Sequence, residues 1–135
     1  MQTGNNMLLS GRIYLSTIYR LKKQGGRVRS VEVARQLGYT KPSISRAINN
    51  FAKEGYLTVE SGGILTLTKQ GEKEAADIVK RQDIIAKFLV MTCDVTPEKA
   101  LTDATGMEIH MSRETFRGMK NFIKQVEALQ SESGE

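Results

Sequence analysis

Between residues 7 and 24 the apolar side chains Tyr14, Ile18 and Leu21, with Leu15 and Tyr19 beside them, form the stripe of a helix packed on one side. Gly25-Gly26 ends that pattern. Arg27-Val28-Arg29 then leads to Ser30, a good N-cap, after which Val31, Ala34 and Leu37 repeat at helical spacing until Gly38 offers a left-handed stop. This spacing predicts a second helix of about two turns. Tyr39-Thr40 reads as a tight turn, Thr40 can cap, and Pro42 falls in a first turn, where its missing N–H costs nothing. A third helix is expected over residues 41–54. Its Ile44, Ala47, Ile48 and Phe51 recur at i, i+3, i+4 and i+7, while Arg46, Asn49, Asn50 and Lys53 project from the other side.

After Gly55 the period changes. Residues 56–60 and 64–67 are β-rich runs around Ser61-Gly62-Gly63, which predicts a hairpin. Thr68 opens a long helix to about Met91, with Ala75, Ile78, Val79, Ile84, Ile85, Phe88 and Leu89 as its apolar residues. Residues 93–95 break it. Thr96-Pro97-Glu98 supplies a cap, a first-turn proline and an acid suited to the positive end of the helix dipole, so a fifth helix is expected to reach about His110. Ser112 caps a sixth, where Phe116, Met119, Ile123 and Val126 repeat; residues 130–135 are expected to fray. There is no internal repeat and no low-complexity linker.

The chain has 135 residues, 39% hydrophobic and 26% charged, which suits one compact domain or two small subdomains and excludes a large multidomain enzyme. A single cysteine, Cys93, excludes an intramolecular disulfide, and a single histidine, His110, excludes zinc cages built on several His and Cys residues. Such usage fits a reducing cytoplasm. No apolar run approaches the roughly 18 residues of a membrane span, and the polar start MQTGNN is not that of a signal peptide. A soluble cytoplasmic protein without membrane contact is expected.

Charge adds a functional clue because it is unevenly divided. Residues 1–70 carry 11 lysines and arginines against three acids, and residues 71–135 carry nine against 12. The basic half points at a polyanion. Two helices joined by a tight turn and followed by a hairpin make a winged helix-turn-helix, whose second helix enters the major groove of DNA. The expected fold is therefore mainly α with a small β-hairpin wing: a DNA-binding domain over residues 1–70 and a helical dimerisation domain over residues 71–135.

In that geometry residues near the start of the recognition helix reach base edges, while hydroxyls, backbone N–H groups and flanking bases hold phosphates. The candidates are Lys41, Pro42, Ser43, Ser45, Arg46, Asn49 and Asn50. Arg46 can grip a guanine through two hydrogen bonds, and an asparagine can do the same to adenine, each discriminating by roughly 1–3 kcal/mol. The wing turn has no arginine at its tip, so phosphate contact aided by Lys69 is expected there. Arg27 and Arg29 are either phosphate contacts or plain solvated charges. A winged helix used for protein contact is disfavoured, since Glu32 is the sole acid in residues 1–53.

The order of motifs resembles a known family: IYLSTIYRL, SVEVARQLGYTKPSISRAINNFAKEGYLTVESGGILTLTKQG, KRQDIIAKFL and TDATGMEIHMS. Over about residues 10–125 the chain resembles the metal-dependent repressors of the diphtheria toxin repressor and manganese transport regulator family. The resemblance rests on Pro42, on Gly55-Tyr56-Leu57 leading into the wing, on Leu67-Thr68-x-x-Gly71 leaving it, and on Gly106-x-Glu108-x-His110-x-Ser112. It implies a homodimer, paired through its C-terminal helices, that binds a palindromic operator and represses metal-uptake genes. With no third, SH3-like module in the sequence, it is similar to the shorter, manganese-type members.

The resemblance also implies metal ligands, and here the chain departs from the pattern. Positions of the first-helix ligands are matched by Ile13 and Ser16, that of the helix-four histidine by Gln82, and those ending helix five by Thr105, Glu108 and Ile109. Of these, Glu108 alone keeps a metal-binding side chain. One carboxylate does not hold manganese or iron, which require several hard oxygen or imidazole donors. No family-type metal switch and no cofactor are expected; manganese or iron would enter if the switch survives in altered form. A relocated site would draw on Glu108 and His110, then Asp103, Asp83 or Cys93, although scattered acids on helices are usually a solvated surface. His110 is expected to be packed or hydrogen-bonded, and Cys93 to be a small buried hydrophobe.

Enzymatic signatures are absent: there is no glycine-rich phosphate loop, no paired carboxylates in a cleft motif and no Ser-His-Asp or Cys-His arrangement. The favoured reading is a dimeric transcriptional regulator, by family resemblance a repressor, constitutive or answering to another signal such as a small molecule. A metal-responsive repressor with a relocated site and a protein-contact winged helix are its alternatives.

Overall fold

The computed structural model describes residues 9–132, with side chains from residue 11 onward. Six helices and three short strands follow one another: α1 (Leu9–Lys23), β1 (Val28–Arg29), α2 (Ser30–Leu37), α3 (Lys41–Lys53), β2 (Leu57–Glu60), β3 (Ile64–Leu67), α4 (Lys69–Cys93), α5 (Pro97–His110) and α6 (Arg113–Glu132). The expected start of α1 at Met7 lies outside the described residues. Two compact units divide the chain between Val79 and Lys80.

In the first unit Leu15 and Ile18 of α1, Val33 of α2, Leu57 of β2 and Ile78 of α4 are almost fully buried, with Ile44, Ile48 and Phe51 of α3 close behind. Each such aliphatic side chain contributes roughly 1.5–3 kcal/mol relative to exposure. A run of edge-to-face rings crosses this core: Tyr39 on Tyr14 at 5.5 Å, Tyr14 on Phe51 at 5.9 Å and Phe51 on Tyr56 at 6.2 Å. These contacts add about 0.5–1.5 kcal/mol each and tie Tyr39, in the turn before α3, to Tyr56, in the chain after it. Burial raises the pKa of Tyr14 above 10.0, with Tyr39 adding to the rise and Arg46 opposing it. Burial raises that of Tyr56 too, helped by Glu74 and Glu54 and opposed by a hydrogen bond with Gln70.

The three strands form an antiparallel sheet in the order β1-β3-β2, with Val28 opposite Leu65 and Val59 opposite Leu65 on the other side. The sequence pattern predicts the hairpin but not β1, because a two-residue strand has no measurable alternation. The wing turn is a single 3₁₀ turn closed by Gly62 and Gly63, both at positive φ.

Several expectations need correction. Ser30 is not the cap of α2 but its first residue: the Arg29 N–H donates to the Glu32 carboxylate at 2.9 Å, so the chain turns helical one residue early. Val31 is then 41% exposed, and Val33 takes its place in the core with Ala34. Helix α3 ends at Lys53, Glu54 being its C-cap. Helix α4 runs to Cys93, and the chain turns at Asp94, a non-glycine residue with φ of 56°. Cys93 is exposed, not buried. Of the tail expected to fray, residues 130–132 are the helical end of α6, and residues 133–135 lie outside the described residues.

The capping residues otherwise act as their chemistry dictates. Gly38 takes a left-handed φ of 71° after α2, and Thr40 accepts from the Ser43 N–H at 3.3 Å to start α3. Thr96 and Ser112 cap α5 and α6 by accepting from Lys99 and Thr115. In the second unit Ile85, Ala100, Ala104 and Ile123 are buried together with two polar side chains, Gln82 and Glu108.

Candidate nucleic-acid interface

The surface of α3 is decided by its period. With Ile44, Ile48 and Phe51 buried, Lys41, Pro42, Ser45, Arg46, Asn49 and Asn50 are left exposed, and Ser43, whose backbone N–H donates to the Thr40 cap, is half-buried. All seven helix candidates thus lie on one short element, which α2, the Gly38 turn and the ring contacts of Tyr39 orient. No acid occurs within α3. Arg46 lies close enough to Tyr14 for its charge to oppose the rise that burial causes in the Tyr14 pKa.

Arg29 has a role that sequence reasoning missed. Its Nη1 donates to the Gly62 carbonyl at 3.4 Å, bracing the wing turn from β1, while Glu32 receives its backbone N–H. The signal was present only as an arginine beside a valine with strand propensity. Arg27, one residue before β1, and Lys69, the first residue of α4, are exposed. The two motifs flanking the wing are stitched to each other. Thr68 donates its hydroxyl to the Gly55 carbonyl at 2.6 Å and accepts from the Gly71 N–H at 3.0 Å, and its backbone N–H donates to the Tyr56 carbonyl at 3.1 Å. Gly71 is required there: a Cβ on it would lie 1.8 Å from the Tyr56 carbonyl oxygen.

The positions matched to metal ligands carry other chemistry. In the first unit Ile13 is a half-buried hydrocarbon and the buried Ser16 hydroxyl donates to the Ile13 carbonyl at 3.1 Å. In the second unit Gln82 is a buried amide, Thr105 donates to the Leu101 carbonyl at 2.8 Å, and Ile109 is half-buried. Glu108, its side chain 2% exposed, accepts from Arg81 Nε at 2.9 Å. Of the side chains at these positions, Glu108 alone is a carboxylate or an imidazole, and a manganese or iron ion takes several such ligands. His110, Asp103, Asp83 and Cys93 are all exposed, and among the described residues no three His, Cys, Asp or Glu side chains are gathered where they could hold a metal. His110 ends α5 at the surface, so of the two expectations for it, packed or hydrogen-bonded, the first does not hold. Among the described residues, no helix is long and apolar enough to cross a membrane.

Two family descriptions match this chain: the iron-dependent repressor N-terminal DNA-binding domain over residues 10–63, and the iron-dependent repressor metal-binding and dimerisation domain over residues 68–130. The transcriptional regulator MntR of Salmonella typhimurium is 33% identical over 112 residues, which are 83% of this chain and 71% of that protein. The HTH-type transcriptional regulator MntR of Lysinibacillus sphaericus is 29% identical over 114 residues, 84% of this chain and 81% of that one. Among solved structures, a manganese-dependent transcriptional repressor in complex with manganese has a TM-score of 0.76 at 21% identity, over 84% of this chain and 52% of that one. IdeR of T. acidophilum has a TM-score of 0.73 at 23% identity, over 84% and 53%. The chain spans about half the length of these solved structures, whose likeness at such identities establishes the fold, a winged helix followed by helices.

Proposed function

Because this chain belongs to the iron-dependent repressor family, we propose that it is a sequence-specific DNA-binding transcriptional regulator, a cytoplasmic repressor acting as a homodimer. The observation that carries this reading is α3: a capped, acid-free helix whose exposed face combines Lys41, Ser45, Arg46 and Asn49 above an apolar inner face. Such a helix fits the major groove, about 12 Å wide, with Arg46 and Asn49 or Asn50 reading base edges. Pro42, Ser43, Arg27, Arg29 and Lys69 fix the register through the backbone and phosphates. Residues 1–70 form the DNA-binding domain and residues 71–135 the dimerisation domain.

The helical unit supports the dimer. On α6, Phe122 and Leu129 are 40% and 66% exposed, with the half-buried Val126 between them at helical spacing, so an apolar stripe is left for a second copy. A two-fold axis there sets two recognition helices in successive major grooves of a palindromic operator, about 34 Å apart. The altered ligand positions support a regulator that is metal-independent, constitutive or answering to a small molecule.

Fluorescence anisotropy on a duplex recovered by random-sequence selection tests this, with a chelator and then with Mn(II) or Fe(II), alongside sedimentation. We expect a dimer at micromolar concentration and specific binding that persists under chelator. A monomer, or equal affinity for every duplex, overturns the regulator reading. Binding that needs the ion overturns its metal-independence.

A further inference from the structure

The metal-independent part of this reading leaves Glu108 to be explained. Its carboxylate sits at a position matched to a family ligand, is almost wholly removed from water, and is the sole acidic side chain among the buried residues described. A carboxylate in such a place is stable only where a cation and hydrogen-bond donors replace its lost hydration. Arg81, on the part of α4 that belongs to the second unit, provides the cation and a hydrogen bond: Nε stands 2.9 Å from Oε2, and the arginine side chain is 34% exposed, its remainder covered. A guanidinium stays charged at every physiological pH and presents its donors in a fixed plane.

We infer that Arg81 is a resident cation for Glu108, a positioning residue that locks α4 to α5 permanently at a point where a divalent ion would do so conditionally. The physical difference lies in tethering. An ion arrives and leaves with its free concentration, whereas a guanidinium on the same chain is held at a fixed, high effective concentration. It also opposes a divalent ion at Glu108, because that ion must displace Arg81 and then sit beside its positive charge. The inference uses the proposed function only for the alignment of Glu108 with a ligand position.

Thermal unfolding of the full chain, followed by circular dichroism, tests the inference without reading DNA binding at all. The wild-type midpoint is expected to be the same in chelator and in millimolar Mn(II). Arg81→Met should lower the midpoint by roughly 5–10 °C, because it removes the cation facing a buried carboxylate. Arg81→Lys should lower it less. The double variant Arg81→Met with Glu108→Met removes both charges and should recover most of the loss; if the single variant does not fold, the cooperative melt of the double variant carries the comparison. A wild-type midpoint raised by Mn(II), an Arg81→Met protein that melts with the wild type, or a double variant that recovers nothing overturns the inference. Loss of specific duplex binding in every condition would instead overturn the regulator reading and leave this ion pair standing.

Discussion

Among the described residues, the first unit buries hydrocarbon and aromatic edges around one small polar group, Ser16, whereas the second buries an amide and a carboxylate, Gln82 and Glu108, among four apolar side chains. Both polar residues stand at positions where the family resemblance places ligands. The contrast teaches where the two halves are constrained. The DNA-binding unit is specified by shape: caps, ring contacts and a wing stitched at its base orient α3. The helical unit at this point buries a carboxylate and sets a guanidinium, Arg81, against it.

If shape rules the first unit, a methyl group should separate the halves most sharply. Gly71→Ala drives its Cβ into the Tyr56 carbonyl, and urea unfolding should register a loss of roughly 3 kcal/mol or more. Gly118→Ala in α6 meets nothing within 4 Å and should stabilise by about 0.5–1 kcal/mol. Similar effects at the two glycines would break the comparison.

Within the first unit the same contrast extends to DNA. Arg46→Ala should lose about 1–3 kcal/mol of discrimination at one base pair, measured by anisotropy across a set of operator variants. Arg27→Ala should weaken all sequences alike and flatten the salt dependence by about one unit of slope. Uniform losses from both changes would remove the base-reading role of Arg46.

The smallest effect is alkaline. All four tyrosines lie in the first unit, and those at 14 and 56 have pKa values raised chiefly by burial. The fold therefore favours their neutral forms. That contribution is fully present below the unfolded value near 10 and is lost as pH rises through the folded values. Stability measured from pH 8 to 11 should fall above about pH 10, and Tyr56→Phe should flatten the fall. A first unit whose stability does not change over that range would contradict the burial of its rings.

Helices, caps and the hairpin were legible because each rests on local chemistry: Gly38, Thr40, Thr96 and Ser112 act through bonds to neighbours three or four residues away. Strand β1 was not legible, since two residues carry no period and Val28 acquires its place only by pairing with Leu65. Val31 stands three residues before Ala34 and Val33 four before Leu37, so helical spacing admitted either valine and only packing decided that Val33 is the buried one. For the candidate interface, the exposed set on α3 followed from periodicity, but the Arg29 brace on the wing did not, because 33 residues separate its partners.

By itself the sequence determined the order of elements, the apolar faces, the division of charge and the side chains standing at the matched ligand positions, since these depend on composition and near-neighbour geometry. Tertiary structure alone decided that Gly71 must lack a side chain, that Arg29 holds the wing, and that Arg81 meets Glu108 across 27 residues. Contacts between distant positions carry no local periodic signature. They come into being only when packing closes the intervening chain and removes water from the groups that meet.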